Sequence, residues 1–297
     1  MQIDEALDLY FRHTQKLRSA RGLQQMLRKH LLPQLAGRPL TDIRRRDMVT
    51  VVETTALSGV SNGHHVFANS RAFFNWCCSK DWIDNSPCDR LSAARLLGPP
   101  GIRQRVLADE ELMRIWKAAG LLASFSPFGT IVRLLILTAQ RRGEVARMRW
   151  DELSGLDDPA RSLWTIDATR YKTAVTHRIP LSAAAVAELQ RLERREGGEL
   201  VFPSRRLAST RPFSGFGKLK ERLDGLSGVE DWCFHDLRRT ARTGMASLGV
   251  PENVAELCLG HGRKGMSRVY NQHRYEGEMR EAFEQWSAKV ASLEKPA

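Results

Sequence analysis

His235-Asp236-Leu237-Arg238-Arg239-Thr240 follows the apolar triplet Trp232-Cys233-Phe234 and runs on to Met245 and Leu248. That context places the stretch at the start of a packed helix. His235 and Arg238 stand three residues apart, so on a helix they share a face and can address one anion. A guanidinium offers a planar fork that matches phosphate oxygens, and it keeps its charge at any working pH. Taken alone, the same spacing describes a solvated helix face equally well. Three other stretches change that reading.

Upstream, the apolar run over residues 131–137 reads as a helix buried on most sides, and it leads into Thr138-Ala139-Gln140-Arg141-Arg142-Gly143-Glu144. Arg141, with Glu144 three residues on, is an oriented cation at the end of that helix. The alternative is a surface ion pair contributing less than about 1 kcal/mol, and the residues leave both open. Downstream come Leu259-Gly260-His261 and, nine positions past that histidine, Tyr270. On one continuous helix His261 and Tyr270 would face opposite ways. Gly262-Arg263-Lys264-Gly265 between them breaks a helix and lets the chain turn both toward one site. Otherwise Tyr270 is an ordinary half-buried phenol.

The chain has 297 residues, enough for two domains. Lys and Arg number 46 against 34 Asp and Glu, a net charge of +12 spread over both halves. Such a surplus favours polyanions, because basic side chains displace counterions from phosphate. Composition alone fits an RNA binder as well. No run of about 18 apolar residues is present, so no membrane span is expected. Met1-Gln2-Ile3-Asp4-Glu5 lacks the form of a signal peptide. A cytoplasmic, nucleoid-associated location is the default. Cys77, Cys78, Cys88, Cys233 and Cys258 form no CxxC pair and no zinc spacing, so reduced thiols and no metal are expected.

Gly98-Pro99-Pro100-Gly101 stops helix and holds the chain extended. It divides a domain over residues 1–97 from one over 106–297, with 98–105 as linker. Before the seam, Ala6, Leu7, Leu9, Tyr10 and Phe11 crowd an amphipathic segment, and helical spacing recurs at Leu23, Met26, Leu27 and Leu31, over 47–57, and at Val66, Phe73, Phe74 and Cys77. These predict a small helical bundle whose aromatic residues are core. After it, Asp109-Glu110-Glu111 opens a helix, residues 162–166 and 176–181 alternate like short strands, and 183–195 return to helix. The fold class is mainly α with a small antiparallel β-sheet: a helical bundle followed by an α+β domain. Arg44, Arg45, Arg46, Arg71 and Lys80 are candidate phosphate contacts of the first domain, with solvated faces as the alternative.

In order and interval the four stretches resemble the arginine, histidine-x-x-arginine, histidine and tyrosine boxes of the tyrosine recombinases, also called phage integrases. Val269-Tyr270-Asn271-Gln272-His273-Arg274-Tyr275, leading to Trp286, is similar to integrases of prophages and genomic islands. The resemblance is strong from about residue 106 to 290, and residues 1–97 look like the family's core-binding, DNA-binding domain. It implies that Tyr270 attacks the scissile phosphate, leaving a 3′-phosphotyrosyl bond and a free 5′-hydroxyl. Arg141 and Arg238 would hold the non-bridging oxygens. His235 would assist proton transfer at the nucleophile, His261 would hydrogen-bond the phosphate, and Glu144 would orient its neighbours. The family protonates the leaving oxygen from a lysine on a β-hairpin. Lys172 fits that place, with Lys218 and Lys220 as rivals. The phosphodiester energy is conserved in the intermediate, so no cofactor is implied.

The implied partner is double-stranded DNA, with a homotetramer in the synaptic complex and accessory DNA-bending or directionality factors. Ala139 stands where the family usually has glycine, which is tolerable if the backbone angle there is ordinary. Tyr275 is a second tyrosine, at a wider spacing from His261. Many relatives carry an additional amino-terminal arm-binding domain, whereas here Met1 leads almost directly into the core-binding helices. The residues over 278–293 place Met279, Phe283, Trp286 and Val290 on one face, docked either on a neighbouring protomer or on their own domain. Alternatives for the whole chain are a type IB topoisomerase and a catalytically inactive DNA-binding relative.

Overall fold

The structure, a computed structural model, describes residues 1–171, 175–194, 197–204, 211–261 and 273–294. It divides into two units, Met1–Arg103 and Gln104–Ala297. Among the described residues no helix is long and apolar enough to cross a membrane.

The first unit is helical: α1 (Ile3–Thr14), α2 (Ala20–Met26), α3 (Leu32–Leu35), α4 (Arg45–Ala56), α5 (Val60–Cys78) and α6 (Ala93–Leu97). Leu27–Leu31 form a π-helical turn between α2 and α3, and both its leucines are fully buried. The stripe Val66, Phe73, Phe74 and Cys77 is core, as its period predicts. Gly63 permits the approach of α4 and α6 to α5, since a Cβ there would stand 2.5 Å from Leu97 Cδ1 and 3.1 Å from Val52 O. Arg44 precedes α4, and Arg45 and Arg46 open it. All three are exposed, as are Arg71 on α5 and Lys80 beyond its end.

In the second unit, α7 (Asp109–Ala123) packs along α8 (Pro127–Thr138). Pro127 suits the first helical turn, and the Ser126 hydroxyl accepts the Phe128 N–H at 3.3 Å. Every residue of α8 from Phe128 onward except Arg133 is buried, which makes it the central helix. Gly129 lets α7 pass, because a Cβ would lie 2.2 Å from Ala119 O. A short helix, α9 (Arg142–Val145), follows, then a three-stranded antiparallel sheet of β1 (Leu153–Ser154), β2 (Leu163–Ile166) and β3 (His177–Pro180) in that order. Trp164 stands opposite Ile179, and Ile166 opposite His177. α10 covers Ala183–Gln190, ending five residues short of expectation. A tight closing turn, Leu192 N–H to Leu189 O at 3.1 Å, stops it there.

The remaining helices among the described residues are α11 (Phe216–Ser227), α12 (Phe234–Ser247), α13 (Glu252–Cys258) and α14 (Glu276–Ser292). The apolar face of α14 is buried within its own unit, against α8, α12, α13 and β3. Trp286 Nε1 donates to Ile136 O at 2.8 Å, and its ring fills the space over Gly244, where a Cβ would fall 2.1 Å from the ring edge. Of the two docking options left open by its period, the helix takes its own domain.

Candidate active site

α8 ends at Ala139, whose φ of 54° and ψ of 22° are left-handed. The condition of an ordinary backbone angle is therefore not met. The left-handed turn ends the helix and aims the Ala139 carbonyl at Arg238, whose Nη1 donates to it at 2.9 Å. A non-glycine residue in this region costs about 1–2 kcal/mol. Ala139→Gly relieves that cost, but loses a buried methyl worth about 0.8 kcal/mol and adds unfolded-chain entropy. These effects offset, so Ala139→Gly is expected to leave stability within about 0.5 kcal/mol of wild type. Ala241→Gly, at an equally buried helical site, should lose about 1–2 kcal/mol. Urea unfolding of the two variants decides it, and equal losses would show that no strain resides at Ala139.

Gln140 is buried and ties three elements together: its Nε2 donates to Thr138 O at 2.7 Å and Cys258 O at 2.8 Å. Its Oε1 lies 3.2 Å from His177 Nε2, so that ring nitrogen carries a proton. Burial, then the charges of Arg238 and Arg141, push the His177 pKa down to about 3, and the ring stays neutral.

Arg141 is extended and precedes α9, so it lies beyond the buried helix rather than on its end. Glu144 holds it twice, accepting the Arg141 backbone N–H at 3.1 Å and Nη1 at 2.9 Å. Nη1 also donates to the Tyr171 hydroxyl at 3.1 Å. Both Nη1 hydrogens are thereby used, while the Nε–Nη2 edge has no partner among the described residues.

Arg238, on the first turns of α12, is 2% exposed. Besides Ala139 O, it donates through Nη2 to Leu259 O at 2.5 Å and meets His261 Nε2 at 3.0 Å. Burial, and next the charge of Arg141, lower its pKa to about 10, which leaves it a cation at neutral pH. A guanidinium only donates, so His261 Nε2 accepts and Nδ1 carries the proton toward Glu256 Oε2, 2.5 Å away. Arg242 Nε braces Glu256 at 2.7 Å.

His235 occupies the first turn of α12 and lines one cleft with Arg238, Arg239, Arg242, Glu256 and His261. Its pKa is lowered by burial, then by Arg239 and Arg238, which keeps it unprotonated and able to accept a proton at neutral pH. Asp236, fully buried, fixes the helix start by accepting the Cys233 N–H at 2.9 Å and Arg239 Nη1 at 2.7 Å.

Gly260 closes the arrangement. Its φ is 69°, and a Cβ would lie 1.8 Å from the Tyr171 hydroxyl and 2.8 Å from His177 Nε2. The Tyr171 hydroxyl donates to Gly260 O at 3.2 Å. Arg141, Glu144, His235, Arg238 and His261 thus belong to one connected site. Lys172 and Tyr270 lie outside the described residues. Of the rival lysines, Lys218 is exposed on α11, and Lys220 is tied to Asp224 at 2.6 Å and sits 3.8 Å above the Trp232 ring. Tyr275 stands at the start of α14 with its ring 4.5 Å from that of His273. Among the described residues no cluster of three potential ligands could hold a metal.

Sequence reading missed Gln140, Tyr171, His177 and Glu256. Gln140 and Tyr171 adjoin residues already singled out, and adjacency was a usable signal. Nothing local marks His177 or Glu256, whose partners are side chains brought near by folding.

A profile of the phage integrase family matches residues 105–277. Prophage integrase IntZ of Escherichia coli K12 is 26% identical over 276 residues, covering 92% of this chain and 66% of that protein. Prophage integrase IntA of the same organism is 34% identical over 161 residues, covering 54% of this chain and 38% of that protein. The chain therefore spans less than two thirds of the length of each relative. In fold it is similar to the lambda integrase of a tetramer bound to a Holliday junction, with a TM-score of 0.69, 19% identity, and coverage of 90% of this chain and 79% of that one. The profile takes in more than half of the chain, and the chain belongs to the phage integrase family.

Proposed function

We propose that this chain is a site-specific DNA recombinase that cuts and rejoins DNA through a 3′-phosphotyrosyl intermediate, in integration and excision of a mobile element. The observation that carries the reading is the pair Arg141 and Arg238, each pinned by named acceptors, with His261 held against the second by Glu256. Two fixed guanidiniums and an imidazole suit a trigonal-bipyramidal phosphorane-like charge distribution, because donors already oriented need no reorganisation during reaction.

In this reading the Tyr270 oxygen attacks phosphorus as its proton passes to His235. The bond from phosphorus to the 5′-oxygen breaks, and Lys172 protonates that oxygen. Arg141 and Arg238 hold the non-bridging oxygens, and His261 adds a hydrogen bond when its Nε2 takes up a proton while Nδ1–H stays on Glu256. Rejoining reverses these steps with another strand's 5′-hydroxyl, so neither ATP nor a metal takes part. Residues 1–97 act as a core-binding domain, with Arg44, Arg45, Arg46, Arg71 and Lys80 on the DNA backbone. The lambda relative's tetramer on a Holliday junction supports assembly of four copies on two DNA sites.

The test uses end-labelled, nicked DNA carrying the attachment junction of the chain's own element. An SDS-resistant adduct should form, and peptide mapping should put the label on Tyr270. A label on Tyr275 moves the nucleophile. Tight, salt-sensitive binding with no adduct would leave a DNA-binding protein and sink the recombinase reading.

A further inference from the structure

We propose that Tyr171 is a positioning residue of this site, whose buried hydroxyl fixes which edge of the Arg141 guanidinium faces the scissile phosphate. The inference rests on the reading of Arg141 as a phosphate-holding residue.

A guanidinium carries five N–H groups in a rigid plane. Glu144 takes one Nη1 hydrogen at 2.9 Å and the Tyr171 hydroxyl takes the other at 3.1 Å. Two acceptors on one nitrogen settle the orientation of the plane, whereas Glu144 alone leaves it a hinge. The edge left over, Nε with Nη2, is the one that binds two oxygens of a phosphate side by side. Tyr171 thus does for the Nη1 side what the substrate does for the other.

The hydroxyl is itself held. The Tyr171 side chain is 1% exposed, its ring lies 4.9 Å from that of His177, and its backbone N–H reaches Asp167 O at 2.9 Å. Gly260 presses against the oxygen from the other side, so the phenol has nowhere to turn. Having accepted from Arg141, the hydroxyl donates its own proton to Gly260 O at 3.2 Å. Leu259 O, one residue earlier, accepts from Arg238. One oxygen atom therefore couples the Arg141 holder to the segment that carries Arg238's acceptor and His261. Burial raises the Tyr171 pKa, so the group remains a neutral hydroxyl able to accept and donate at once.

Tyr171→Phe isolates this role. It keeps the ring, its burial and the contact of the Arg141 cation with the ring, 5.6 Å from the centroid, and deletes only the oxygen. Single-turnover adduct formation on nicked junction DNA is compared for wild type, Tyr171→Phe, Arg141→Lys and the double variant, with DNA affinity measured alongside. Tyr171→Phe should react about tenfold more slowly, the scale of one hydrogen bond to a charged group, with affinity within about twofold, since the other phosphate contacts remain. In the Arg141→Lys background, which lacks the fork to be oriented, the deficit should shrink below about twofold. A wild-type rate for Tyr171→Phe overturns the proposal. So does an undiminished tenfold deficit beside Arg141→Lys, which marks a purely structural phenol. Should Tyr171→Phe melt below the assay temperature, all four proteins are compared at a lower temperature at which circular dichroism shows each of them folded. A wild-type chain that forms no adduct overturns the recombinase reading, and this inference with it.

Discussion

Arg238→Lys is expected to slow phosphotyrosyl adduct formation by about 10³-fold, in the range seen when a preorganised charge-stabilising donor is removed. The substitution keeps the charge and removes the fork. Arg238 spends one nitrogen on Ala139 O and the other on Leu259 O and His261, a spread of directions that a single ammonium cannot cover. Lysine can satisfy one of the two carbonyls. The other is left buried without a donor, at a cost of about 1–3 kcal/mol. The variant should therefore unfold at lower urea as well as react slowly, and salt-dependent DNA binding should change little. Single-turnover cleavage and urea titration on the same preparation separate the effects. A rate within tenfold of wild type would mean that Arg238 is a structural strut and not a phosphate holder.

Gly260→Ala should severely damage the catalytic unit. The left-handed backbone alone makes alanine cost about 1–2 kcal/mol. The added carbon would stand 1.8 Å from the Tyr171 oxygen and 2.8 Å from His177 Nε2, and both rings are buried with no room to retreat. Relief requires the Leu259–Gly260 backbone to move, which withdraws acceptors from Arg238 and Tyr171 together. A loss of about 4 kcal/mol is expected, in the range reserved for core disruption, together with loss of detectable adduct. Thermal unfolding and the adduct assay check it. If the alanine variant melts within a few degrees of wild type, the close packing of Tyr171 on Gly260 is wrong.

What was legible in the residues was what repeats locally. The apolar run before Thr138 gave a buried helix, the alternation around Trp164 and Ile179 gave paired strands, and the stripe through Phe73 and Phe74 gave the core of the first unit. The catalytic candidates Arg141, His235, Arg238 and His261 were found from side-chain chemistry and order along the chain, and they do meet. Less legible was how they are held. Arg141 was expected on the end of a helix, but a left-handed alanine ends that helix two residues earlier. The apolar face over Met279 to Val290 announced a helix without saying what it covers, because period reports a buried face and not its partner. Glu256 and His177 act through contacts with side chains on other elements, and no spacing encodes those. Lys172 and Tyr270 are placed in the site by the resemblance of their surroundings alone.

The burial of Trp286 and its neighbours bears on the safety of the reaction. In the proposed intermediate a severed strand hangs from residue 270, and five residues further on Tyr275 caps the start of the core-packed α14. Five residue steps of backbone reach at most roughly 18 Å. A broken DNA end is thus kept on a short leash whose far end is nailed into the hydrophobic core by a fully buried tryptophan. Pulling that end free means unfolding the catalytic unit, so mechanical tension on cut DNA is borne by the fold itself until the strand is resealed.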